Sequence, residues 1–180
     1  MNFVLIFLVL IAFWAVVTYN RLIVLRSRVD NAWAQIDVQL KRRFDLIPNL
    51  VNTVKGYAQH EKETLEKVTE SRTKYLSANT PDEKLQANSE LAGALSRLFA
   101  VAESYPDLKA STNFLDLQAQ LKDTEDKIGF SRQFYNDTAM KYNVGIMKVP
   151  VSVIANMFGF KSRPYFEAEG EARENVEVKF

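Results

Sequence analysis

The chain has 180 residues and a mass of 20.6 kDa, which suggests one domain. Hydrophobic residues at 47% and charged residues at 25% exclude a disordered or low-complexity chain, and a formal net charge of +1 excludes nucleic-acid binding through bulk positive charge. The absence of cysteine excludes disulfide scaffolds, thiol nucleophiles, thiolate zinc sites and lipoprotein acylation, and a single histidine, His60, excludes paired catalytic histidines.

Residues 1–20 hold no charged side chain, and 3–17 are unbroken apolar sequence. At about 1.5 Å per residue, twenty residues span roughly the 30 Å of a bilayer core. A cleaved signal peptide calls for a basic leading region and a small-x-small site. No Lys or Arg precedes the apolar run here, and Ala12 and Ala15 are spaced wrongly. Trp14 and Tyr19 fit an interfacial aromatic belt. The segment is predicted to be an uncleaved anchor. Arg21, Arg26 and Arg28 follow it closely, which by the positive-inside rule favours a cytoplasmic bundle.

Leu22, Leu25, Val29, Trp33, Ile36 and Leu40 draw one helical stripe directly out of the span. With Asp45 as cap and Pro48 in a first turn, Asp45-Leu46-Ile47-Pro48 predicts a tight helix–helix turn. A second helix over about 46–78 follows, charged through 59–70. Thr80, Pro81 and Glu83 form a capping-box signature for a third helix, which stops at Tyr105-Pro106. A fourth begins near Ser111, with Phe114, Leu117, Leu121, Ile128, Tyr135 and Tyr142 on one face, and ends before Pro150. Only 176–180 alternates like a strand.

The predicted fold is all-α: an N-terminal transmembrane helix running into an antiparallel up-and-down four-helix bundle. The expected division is an anchor over 1–20, the bundle over 21–148, and an apolar segment with C-terminal tail over 149–180. Four alternating helices return residues 149–160 toward the bilayer, where the segment either caps the bundle core or touches lipid. A long helix merely kinked at Pro48 would reverse that parity. Trp14, Tyr19, Met157, Phe158 and Phe160 are the candidate interfacial residues.

Chemistry is sparse. His60-Glu61-Lys62-Glu63-Thr64 opens like a zinc-protease motif, but Thr64 stands where the second histidine is needed. Asp116, Asp123, Glu125 and Asp126 alternate with Lys122 and Lys127 as on a solvated helix face. No catalytic residue, metal or cofactor is assigned. Lys41-Arg42-Arg43 reads either as an acidic-partner or phosphate patch, or as cations complementing a helix C-terminus. Tyr135-Asn136 and Tyr142-Asn143 read as core tyrosines with hydrogen-bonded hydroxyls.

Several longer stretches resemble one family. They are Tyr19-Asn20-Arg21-Leu22, Ala32-Trp33-Ala34-Gln35-Ile36-Asp37-Val38-Gln39-Leu40-Lys41-Arg42-Arg43, and Asp45-Leu46-Ile47-Pro48-Asn49-Leu50-Val51. Val54-Lys55-Gly56-Tyr57, His60-Glu61 and Tyr105-Pro106-Asp107-Leu108-Lys109-Ala110 continue the pattern, as do Arg132-Gln133-Phe134-Tyr135-Asn136-Asp137 and Tyr142-Asn143. The chain resembles the LemA family of bacterial membrane proteins over essentially its whole length. It departs at Met147-Lys148-Val149-Pro150, where the family usually shows a Phe-Pro pair.

The resemblance implies a four-helix bundle behind one inner-membrane anchor. It supplies no defined activity. Family members often accompany membrane proteases or membrane-remodelling systems, which implies an accessory or scaffold role in the cell envelope. Some carry a lipoprotein cysteine at the place of Val17, which implies a bundle outside the cytoplasm and pulls against the arginine argument. The leading expectation is a non-enzymatic scaffold that binds another membrane protein or itself, and no nucleic acid. Its candidate partner surface is Arg42, Arg43, Asp45, Pro48, Asn49, Tyr105 and Pro106. The alternative is a membrane-tethered sensor whose bundle binds a small ligand or peptide.

Overall fold

A computed structural model describes residues 2–58 and 60–166. They form six helices: α1 (Asn2–Lys55), α2 (Lys62–Ser77), α3 (Pro81–Ala102), the short α4 (Pro106–Lys109), α5 (Thr112–Met147) and α6 (Val151–Met157). No strand occurs among the described residues, and the alternating stretch 176–180 lies outside them.

The turn expected at Pro48 is absent, because Pro48 lies inside α1. An interior proline costs about 3 kcal/mol through its missing amide. Against this, Leu40, Phe44, Ile47, Leu50 and Val54 continue one stripe straight through the proline, each no more than 1% exposed. Burying side chains of this size contributes roughly 1.5–3 kcal/mol each, so the stripe outweighs the proline. Pro48 itself is exposed, so its ring stands on the solvent side of the helix and takes no place in the buried stripe. The break falls instead at Gly56, just past Lys55, where the Ala58 amide closes back on the Val54 carbonyl at 2.8 Å. One long helix therefore does not reverse the parity, since the turn has moved along the chain rather than vanished.

The chain divides into two compact units, one comprising Met1–Gln35 with Phe130–Phe180 and the other Ile36–Gly129. The second unit, called here the distal unit, is a four-helix core. Buried with the α1 stripe in this unit are Val68 and Tyr75 of α2, Leu91 and Leu98 of α3, Leu108 of α4, and Leu121 and Ile128 of α5. Phe44 and Tyr75 stack with ring centroids 4.1 Å apart. The expected capping box opens α3, with Thr80 accepting from the Glu83 amide at 3.2 Å and Glu83 accepting from the Thr80 amide at 3.1 Å.

The first unit, called here the clasp unit, pairs the early part of α1 with the late part of α5. A Cβ added at Gly145 would lie 3.3 Å from Leu25 Cδ1, which shows how closely the two helices approach. Tyr19 meets Phe158 and Phe160, while Trp33 meets Phe166, which also touches Tyr135 on α5. The two helices thus run antiparallel. After α6 the backbone turns through Gly159 at φ +69, a left-handed conformation that suits glycine, into the non-helical segment 160–166.

Candidate functional site

Two regions gather the candidate residues, one in each unit. In the clasp unit, α1 begins with apolar side chains that nothing covers: all the large ones from Phe3 to Val17 are exposed. This is the one helix, among the described residues, long and apolar enough to cross a bilayer, and it is bare where a soluble core helix would be buried. Burial starts at Thr18 and Leu22.

Tyr19, at the end of the bare stretch, packs against Phe158 at 4.7 Å and Phe160 at 5.8 Å between ring centroids. The 149–160 segment therefore does return to the end of the apolar run. The interfacial candidates then divide. Trp14, Met157 and Phe158 are exposed, together with Val149 and Val153. Phe160 is not, because it is buried against Tyr19 with the Arg26 guanidinium 5.7 Å from its ring centre.

Residues 161–166 are held by a ladder of side chains on α5. Asn143 donates from Nδ2 to the Arg163 carbonyl and accepts the Arg163 amide on Oδ1, both at 2.8 Å. Asn136 does the same with Phe166, both at 2.9 Å. Tyr142 donates to the Lys161 carbonyl at 3.0 Å and Tyr135 to the Pro164 carbonyl at 3.3 Å. The register has a simple cause. Asn136 and Asn143 are seven helical residues apart, about 10.5 Å, and Phe166 and Arg163 are three residues apart, about 10 Å in extended chain. Arg163 closes the clasp by donating to Asp30 of α1 at 2.8 Å. Burial pushes the Tyr142 hydroxyl above its ordinary pKa, which keeps it a donor. The spacing of Tyr135-Asn136 and Tyr142-Asn143 was the available signal for this clasp, and reading them only as core tyrosines misses it.

In the distal unit the basic triplet separates by helical phase. Arg42 is exposed, whereas Arg43 falls on the buried stripe between Leu40 and Ile47 and is 4% exposed. Arg43 is therefore an internal tie and not a surface group. Its guanidinium donates to Asn88 of α3 at 2.6 Å and pairs with Glu125 of α5. Burial pulls its pKa down and Glu125 opposes that shift. Nearby, Lys84 donates to Asp37 at 2.6 Å. Burial, then the charges of Asp37 and Asp45, pushes Tyr75 up to about 12.

Asp45, Pro48 and Asn49 are exposed on α1, as is Pro106 at the start of α4. Tyr105 donates to Glu61 at 3.2 Å, so the Tyr105-Pro106 corner belongs with the connection between α1 and α2 and not with a Pro48 turn. A groove of about 720 Å³ lies between the end of α1 and α2, lined by Val51, Lys55, Leu65, Glu66, Thr69 and Thr73 among others. His60 is exposed in the α1–α2 connection, and no group of three or more His, Cys, Asp or Glu suited to a metal occurs among the described residues.

The sequence profile described as the LemA family matches residues 32–180. Protein LemA of Metamycoplasma hominis is 28% identical over 163 residues, covering 88% of this chain and 73% of that protein. Magnetosome protein MamQ 2 of Paramagnetospirillum magneticum is 26% identical over 175 residues, covering 83% of this chain and 64% of the relative. Magnetosome protein MamQ of Magnetospirillum gryphiswaldense is 26% identical over 174 residues, with 82% and 64% covered. The match spans a little under two thirds of the length of these magnetosome relatives. From residue 32 onward, through the four-helix core and the clasp, the chain matches one family profile: it belongs to the LemA family.

Proposed function

We propose that the protein is a non-enzymatic, single-pass anchored scaffold of a bacterial inner membrane, whose helical bundle holds another membrane or envelope protein or a second copy of itself. The supporting observation is α1: its uncovered apolar stretch continues without a break into a helix of the water-side core. The functional divisions proposed are the anchor 1–20, the bundle 21–148 and the terminal segment 149–180. Arg42, Asp45, Pro48 and Asn49 on α1, with the Tyr105-Pro106 corner, are the proposed partner surface. Arg43 serves it only by holding α1 in place. Arg21, Arg26 and Arg28 favour a cytoplasmic bundle, and the lipoprotein-bearing relatives favour the other side.

Two measurements test the reading. Asn79 is exposed in the α2–α3 connection of a chain without cysteine, so Asn79→Cys gives a single label site. Labelling of intact cells by a membrane-impermeant maleimide, with any outer layer permeabilised, places the bundle outside the cytoplasm. Labelling only after lysis places it inside. Next, Arg42→Glu with Asn49→Ala is expected to reduce cross-linked capture of the partner in native membranes while thermal unfolding stays unchanged. Undiminished capture removes this face from the scaffold reading. A second reading, a membrane-tethered sensor, is favoured by the groove beside Val51 and Leu65. Stabilisation of the detergent-solubilised chain by peptides would support it.

A further inference from the structure

We infer that the clasp unit carries a binding site for one anionic phospholipid, in a groove of about 500 Å³ beside the exit of α1 from its apolar stretch. The inference rests on α1 crossing a membrane and goes beyond the scaffold reading.

Three cations line the groove. Arg21 is the first charged residue after the apolar stretch, and Lys141 and Lys148 stand seven residues apart, about two helical turns, on the returning side. No carboxylate lines it, and among the described residues none of the three cations forms an ion pair. This sets them apart from Arg43, Lys67, Lys74, Lys84 and Arg163, all of which have carboxylate partners. Apart from Thr18, the wall between the cations is apolar, with Trp14, Leu22 and Val144 among its side chains.

A charged rim on an apolar wall fits an amphiphile whose head is an anion, and continuity with the bare stretch says where that amphiphile lies. Trp14 belongs both to the exposed apolar run and to the groove wall. Tyr19, one turn further on, packs on Phe158. Val149, Val153, Met157 and Phe158, in and beside α6, are each more than half exposed. An apolar face at this level belongs among acyl chains and headgroups, with Lys161 just beyond it on the water side. The acyl chains of the bound lipid then follow Trp14 along α1, and its phosphate is reached by Arg21, Lys141 and Lys148.

The test uses the full chain purified in mild detergent and returned to nanodiscs of phosphatidylcholine with or without phosphatidylglycerol. Native mass spectrometry counts the lipid that stays bound. The wild type is expected to keep one phosphatidylglycerol in preference to phosphatidylcholine. Arg21→Gln, Lys141→Gln and Lys148→Gln are each expected to lower that preference about fivefold. These residues are exposed and unpaired, so helicity and thermal unfolding should be unchanged. Met157→Ser with Val153→Ser should shorten retention without changing headgroup preference.

Equal retention of the two lipids, or a triple Gln variant that matches the wild type, overturns the site. Protection by glycerol 3-phosphate as strong as by phosphatidylglycerol overturns the lipid assignment in favour of a soluble anion. A Val144→Cys cross-link between two copies that excludes lipid assigns the groove to a second copy instead. Carbonate extraction reads the anchor separately, so loss of the lipid site leaves the membrane-anchored scaffold standing.

Discussion

The two units solve the burial problem with different materials. In the distal unit four helices surround one core, so leucines, isoleucines and a stacked Phe44–Tyr75 pair fill it, and one internal arginine ties α1 to α3 and α5. In the clasp unit two long helices cannot enclose a core by themselves. The third side is a non-helical segment whose backbone amides and carbonyls have no helix or sheet to satisfy them. Asn136 and Asn143 supply the missing partners, each pairing with one residue in both directions. Apolar volume holds the first region and matched polar geometry holds the second. The clasp unit also leaves apolar surface uncovered, at the start of α1 and on α6, as a region facing lipid does.

That contrast is open to attack by mutation. Leu98, fully buried on α3, is the sharpest probe of the distal core. Leu98→Ala in the detergent-solubilised chain is expected to cost about 3–4 kcal/mol in chemical denaturation, through lost burial and the cavity left behind. A cost below about 1 kcal/mol would mean that the core is not close-packed there. Asn143→Ala removes two hydrogen bonds and leaves the Arg163 amide and carbonyl unpaired, at about 2 kcal/mol. Its effect should be local: faster amide exchange at Arg163 and Phe166, with exchange in α3 unchanged. Equal acceleration in both units would erase the distinction.

The smallest effect is one of pH. Tyr75 is held at about 12 in the fold, above the value near 10 of an exposed tyrosine. The folded state therefore prefers the neutral phenol. Its contribution is complete below about pH 10 and is lost as pH rises through about 12, because the unfolded chain ionises first. Tyr75→Phe should flatten the alkaline fall in melting temperature over that window. An unchanged slope would assign the fall to other groups.

Much of the fold was legible in residue spacing. The α1 stripe, the capping box of Thr80 and Glu83 and the bare apolar run all follow from local rules that the structure respects. Pro48 misled because its penalty is local, whereas the burial that overrides it depends on partners from α2 and α3. The true stop was written at Lys55-Gly56, a cation in the last turn followed by glycine. Arg43 was also readable, since it follows Leu40 by three residues on a buried stripe, although a run of like charges suggests a solvated face. The clasp was half legible. The seven-residue repeat of Tyr-Asn is in the sequence, but its partners are backbone groups, and any residue carries those.

The clasp also sets an order of events during synthesis. Every contact inside the distal unit involves residues made by Gly129. Asp30 waits for Arg163, which lies 133 residues later in the chain, and Tyr19 and Trp33 wait for Phe158 and Phe166. Contacts so distant in sequence form late. While the ribosome is still working, the stretch of α1 beside the bilayer has finished neighbours on neither side, and those faces are open to lipid or to an assembly partner. Closing the clasp therefore comes after the distal unit has all its residues, and until Arg163 and Phe166 arrive the early part of α1 stays open to lipid or a partner.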